Sequence, residues 1–92
     1  MVTIREFAGI YDDSIIVKWF PHDDNPDYDK YADEDFDGAL GLYYKSTRDL
    51  IADLDAGNQP FTASAPVNEV YFDDGWFCMN VFEQDYIESW TY

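Results

Sequence analysis

Basic residues are scarce: the 92-residue chain has five, Arg5, Lys18, Lys30, Lys45 and Arg48. Lysine and arginine supply most of the affinity of proteins for phosphate backbones, so this chain lacks the footprint for direct DNA or RNA binding. Anionic membranes are excluded by the same sign argument. Cysteine occurs once, at Cys78, so no disulfide can close within the chain, which fits a reducing compartment. No signal-like opening and no apolar run near the ~20 residues of a membrane span is present, and the expected location is cytoplasmic. A Gly-rich phosphate loop is also missing. Cys78 has no histidine partner in a nucleophile signature, and the lone His22, beside Asp23 and Asp24, has no second histidine or cysteine at metal-ligand spacing. Paired carboxylates for glycoside chemistry can be drawn anywhere among twenty acids and so point nowhere. The chain is therefore read as neither an enzyme nor a cofactor protein.

What the sequence does have is acid and aromatic rings. Twenty Asp and Glu give a formal net charge of −15, and fifteen of the twenty are Asp. Such charge often means disorder, because too little apolar surface is left to offset chain entropy. Here 47% of residues are hydrophobic and eighteen are Phe, Tyr or Trp. Each ring buries ~150–250 Å², enough to build a core with few aliphatics. One folded domain over residues 1–92 is expected, with a loose acidic loop at 21–37.

Val2 to Ala8 (VTIREFA) and Ser14 to Phe20 (SIIVKWF) read as two strands of a β-hairpin joined by GIYDDS. Pro21 ends the second, and residues 21–37 read as a long loop or short irregular helix. Gly38 to Lys45 is a third strand. Ser46 is the N-cap of the clearest helix, TRDLIADLDA, with Asp49 three residues on and Gly57 at its end. Val67 to Phe72 and Trp76 to Phe82 flank Asp73-Asp74-Gly75, a hairpin signal. The tail EQDYIESWTY reads as a helical turn or an edge strand. The sum is an α+β fold, ββ-loop-βαββ, with about five strands in a small antiparallel sheet and one main helix.

The acid is concentrated. Asp23 to Asp37, DDNPDYDKYADEDFD, holds eight carboxylates, one lysine and three aromatics in fifteen residues, for a charge of −7. Two carboxylates about 6.5 Å apart repel by roughly 0.6 kcal/mol in water, and salt screens only part of it. Several such pairs reach a few kcal/mol against a folding stability of ~5–15 kcal/mol. A charge kept at that cost points to a basic partner. Within it, Asp33, Asp35, Asp37, Gly38 and Leu40 match the start of an EF-hand calcium loop. Position 12 falls on Tyr44 where a bidentate Glu is required, and Pro26 interrupts the entering helix. A divalent-metal (calcium) module at 33–38 is thus an alternative, with no ligand set assigned.

In these features the chain resembles the small acidic DNA-mimic proteins of phages and mobile elements. The resemblance rests on whole-chain composition and on DDNPDYDKYADEDFD, and it transfers no individual residue. It implies an inhibitor that blocks a restriction enzyme, a CRISPR effector or another DNA-binding protein, in the host cytoplasm if the gene is a phage's. Alternate strand residues are ~6.8 Å apart and helix residues at i, i+4 ~6 Å apart, spacings comparable to neighbouring phosphates. On the charge pattern, the main partner-binding patch is Asp23, Asp24, Asp27, Asp29, Asp33, Glu34, Asp35 and Asp37. Asp49, Asp53, Asp73 and Asp74 extend it if helix and hairpin share its side. The expected partner is a basic DNA-binding protein or nuclease, with homodimerisation as a way to lengthen the charged surface. An immunity or antitoxin-like protein for one cognate basic nuclease is the second reading.

Overall fold

The computed structural model describes residues 2–83. The expected turn or edge strand in EQDYIESWTY lies outside them from residue 84 onward. One mixed sheet of four strands, β1 (Ile15–Phe20), β2 (Leu40–Tyr44), β3 (Glu69–Asp73) and β4 (Trp76–Phe82), runs in the order β2-β1-β4-β3. The helices are α1 (Ile4–Ala8), α2 (Tyr28–Tyr31) and α3 (Thr47–Asp55), with a 3₁₀ turn at Glu34–Phe36. The fold class is α+β, as expected, with four strands among the described residues instead of five.

The missing strand is Val2–Ala8, whose core is α1. Thr3 accepts from the Glu6 backbone N–H, and the Glu6 side chain accepts in return from the Thr3 N–H, a complete capping box. Ile4 and Phe7, at i and i+3, are the residues this turn buries. The two N–H groups that follow the cap, Ile4 and Arg5, donate to Ala65 and Ala63 carbonyls at 3.0 Å. The start of α1 is therefore satisfied by the connection after α3 and not by a hairpin partner.

The sheet also departs from the expected antiparallel order. β1 pairs antiparallel with β2 (Val17 opposite Leu42) but parallel with β4 (Val17 opposite Met79). Both central strands are nearly continuous apolar runs, as strands covered on two sides tend to be. The β3–β4 hairpin forms as expected: Asp74 (φ 52°) and Gly75 (φ 83°) give two successive left-handed residues, a type I′ turn. The expected helix is α3. Ser46 Oγ accepts from the Asp49 N–H, Gly57 takes φ 77° past its end, and Leu50 and Leu54 are buried.

Successive strand residues point to opposite faces. One face, carrying Ile15, Val17, Trp19, Leu40, Leu42, Met79 and Val81, packs against Ile4 and Phe7 of α1 and Leu50 and Leu54 of α3 to form the core. The other carries Ile16, Lys18, Phe20, Tyr43, Tyr71, Trp76, Cys78 and Asn80. Among the described residues no helix is long and apolar enough to cross a membrane.

Candidate partner-binding surface

The acidic segment joins the end of β1 to the start of β2 and is laced together along its length. The Glu83 carboxylate, just past β4, accepts from the His22 backbone N–H (3.1 Å) and from Asn25 Nδ2 (2.6 Å), pinning the entry. Asn25 Oδ1 accepts from the Asp27 N–H at 2.8 Å, an Asx turn that opens α2. Asp33 Oδ1 accepts from the Asp35 N–H at 2.9 Å, and Asp33 and Ala39 form a bridge that closes the 33–39 turn. Inside that turn Asp37 takes φ 60°, a left-handed conformation that Asp adopts more readily than most residues.

The rings point in and the acids point out. Tyr31 meets Trp19 edge-on at 5.5 Å, and Phe36 lies flat enough on β2 that a Cβ on Gly41 would come within 2.5 Å of its ring. All eight carboxylates, Asp23, Asp24, Asp27, Asp29, Asp33, Glu34, Asp35 and Asp37, are exposed. Among the described residues, Asp37 is the one member within ion-pair distance of a lysine or arginine, 3.9 Å from Lys18 Nζ. Both arginines are engaged on the helical side instead, Arg5 with Asp55 (2.6 Å) and Arg48 with Asp12 (3.4 Å).

The four proposed extensions do not behave alike. β1 and β2 join the acidic segment at the end where β4 finishes. Asp73 and Asp74 sit at the opposite end, where β4 begins. The six residue steps of β4 from Trp76 to Phe82, at ~3.3 Å each, put about 20 Å of strand between the two poles. Asp49 is exposed on the first turn of α3, which leaves β2 at the hairpin end. Asp53 is committed to the fold: Tyr44 Oη (2.5 Å), Asn58 Nδ2 (2.7 Å) and Gln59 Nε2 (2.9 Å) all donate to it. Those donors, Tyr44 foremost, hold its carboxyl below the usual range. Of the twelve nominated residues, Asp53 is the one whose carboxylate accepts from three side-chain donors, which occupies most of its roughly four acceptor positions and commits it to the fold before any partner.

The EF-hand resemblance does not survive as geometry. Asp33 Oδ1 is spent on the Asp35 amide, Glu34–Phe36 is a 3₁₀ turn, and Tyr44 at position 12 points its hydroxyl at Asp53. Among the described residues no three His, Cys, Asp or Glu side chains gather in a way that would hold a metal ion. Cys78 is buried, which pushes its thiol up from the ordinary range. A cleft of about 270 Å³ between Trp19, Phe61, Pro66 and Phe82 has Glu83 as its one titratable side chain, already bonded to the loop.

The surface holds one feature the charge pattern does not reveal. On the sheet face opposite the helices, Phe36, Tyr43 and Trp76 form a row of rings with centroids 6.2 and 5.6 Å apart. Tyr43 and Trp76 belong to the strands on either side of β1, so their contact bridges over Ile16, which is 7% exposed. The signal for it is the two-residue period in LGLYY and WFCMN, once the face of each strand is known. No protein-family model, curated protein or solved structure matches this chain.

Proposed function

We propose that this chain is a DNA-mimic inhibitor: it occupies the cationic nucleic-acid-binding surface of a DNA-binding protein or nuclease and denies DNA access to it. One observation carries the reading. Eight exposed carboxylates are displayed on a hydrogen-bonded frame, both arginines are engaged on the helical side, and among the described residues only Asp37 of the eight lies within ion-pair distance of a lysine or arginine. A free acidic tail would lose conformational entropy on binding; a frame already fixed by Glu83, Asn25 and Asp33 loses much less. The negative field speeds encounter with a basic groove, and ionic strength weakens it. No catalytic step is assigned to the chain, and the reading places it in the cytoplasm, where restriction and CRISPR enzymes meet DNA.

The test is capture from a host lysate at low salt, elution by a salt gradient, and identification by mass. The reading expects a basic DNA-binding protein that duplex DNA competes away and that Asp33→Asn/Asp35→Asn/Asp37→Asn captures poorly. Capture unaffected by that triple variant and by competing DNA would remove this surface from consideration. An immunity protein would instead return a single cognate nuclease.

A further inference from the structure

The row Phe36–Tyr43–Trp76 runs from the acidic turn at one end of the sheet to the acidic hairpin at the other. Asp37 follows Phe36 directly, and Asp73 is the cross-strand partner of Trp76. Tyr43 is 60% and Trp76 43% exposed. Aromatic faces carry negative potential, and carboxylates at both ends reinforce it. We propose that this face is a docking platform for arginine side chains of the target protein, so that guanidinium groups stack on Tyr43 and Trp76 while their charges face Asp37 and Asp73. The inference rests on the inhibitor reading and names the chemistry of its partner.

The same face already holds one cation in this manner. Lys18 Nζ lies 5.6 Å from the centre of the Tyr71 ring and 3.9 Å from Asp37, with its side chain only 12% exposed. The Tyr71 hydroxyl, ahead of the nearby negative charges, raises its pKa, so it stays protonated. Its side chain is withdrawn from solvent beside Tyr71, whereas Tyr43 and Trp76 stay exposed to an incoming cation. Arginine suits that surface better than lysine, because a planar, weakly hydrated guanidinium stacks on a ring and still presents donors to a carboxylate at its edge. A second copy of this chain is disfavoured as occupant by its own charge of −15, and a purely apolar partner by the carboxylates it would have to desolvate.

The test titrates the full chain with nona-arginine and nona-lysine peptides by calorimetry at 50 and 150 mM salt. Tyr43→Leu/Trp76→Leu is the main variant, since leucine keeps Ile16 covered while removing the rings, and circular dichroism verifies its fold. The wild type is expected to bind nona-arginine about five- to thirtyfold more tightly than nona-lysine, as two ring contacts would give. The leucine variant should reduce nona-arginine to the nona-lysine level with an unchanged salt slope, and Trp76→Phe should retain most of the preference. An arginine preference that persists in the leucine variant, or is absent from the wild type, overturns the platform. The inhibitor reading then still stands, provided both peptides bind and weaken together in Asp33→Asn/Asp35→Asn/Asp37→Asn. If neither peptide binds at 50 mM salt, both readings fall. A wild-type dimer in sedimentation that the leucine variant abolishes would assign the face to a second copy and overturn the proposal.

Discussion

The Tyr44 hydroxyl donates to Asp53 Oδ2 at 2.5 Å, tying edge strand β2 to helix α3 through a charge-assisted bond. Burial first, and then this carboxylate, push the Tyr44 hydroxyl well above the ordinary phenol range. Asn58 and Gln59, just past the helix, donate to the same carboxylate. One Asp thus closes the strand, the helix and the turn that follows it.

Replacing Tyr44 by Phe is expected to cost about 1 kcal/mol at neutral pH, in the usual range for a lost hydrogen bond at a half-buried site. For a domain of this size that is roughly 4–8 °C in Tm. Because the Asp53 pKa is lowered by folding, its contribution is present above the unfolded value of ~3.9 and is lost as pH falls through the lower folded value. The gap between wild type and Tyr44→Phe should therefore narrow in acid. Thermal melts of both proteins at pH 7 and near pH 3 check this, and a gap that does not change with pH counts against it.

Asp33→Asn/Asp35→Asn/Asp37→Asn removes three charges while sparing the local geometry. An asparagine replacing Asp33 keeps an oxygen to accept from the residue 35 amide, and asparagine in place of Asp37 tolerates the left-handed conformation there. At ~20 mM salt the variant should be more stable than wild type by about 1–2 kcal/mol, and the gain should fade toward 0.5 M as screening shortens to a few ångströms. Urea melts across a salt series measure it. A variant less stable than wild type at low salt would mean the carboxylates hold the turn together by contacts beyond their shared repulsion.

Gly41→Ala tests how the acidic turn is seated. Its Cβ would meet the Phe36 ring at 2.5 Å, so the ring must leave its place on β2. Overpacking of this kind costs about 1–3 kcal/mol. Hydrogen exchange should quicken in residues 33–38, and Phe36→Ala should cost less in the Gly41→Ala background than in wild type. Full additivity of the two changes would mean that the ring does not rest there.

Thr3→Ala should destabilise by about 1 kcal/mol, the usual worth of an N-cap, with faster exchange at the Ile4–Ala8 amides. The loss would not arise if residues 2–8 formed a strand. This is where reading the residues alone goes astray: VTIREFA alternates, yet Ile4, Phe7 and Ala8 fit i, i+3, i+4 equally well. The Thr3–Glu6 capping box decides between them and is visible in the chain. The carbonyls of Ala63 and Ala65, which finish the cap, are brought in from about sixty residues away and are not.

Elsewhere legibility follows the range of the interaction. The α3 helix and the Asp74-Gly75 turn are encoded by neighbours, through Ser46, Gly57 and the two residues with positive φ, and they appear where expected. The parallel β1–β4 pairing is set by partners over sixty positions apart, which local patterns do not register, although two nearly continuous apolar strands hint at central places. For the surface, charge density locates the eight exposed carboxylates of 23–37. Asp53 groups with them on charge alone, because its donor Tyr44 sits nine residues upstream in a different element. Asp73 and Asp74 do so too, and only strand direction reveals that they lie at the far end.

The middle position of β4 has a consequence for synthesis. A growing polypeptide that has not yet released residues 76–82 from the ribosome has β1 flanked on one side only, and its core residues Met79 and Val81 are missing. Closing contacts across such long sequence separation is slow compared with forming local helices and turns. Until then the Ile15–Phe20 run is an unguarded sticky segment, and the dense negative charge emerging just behind it supplies repulsion that keeps neighbouring nascent chains apart.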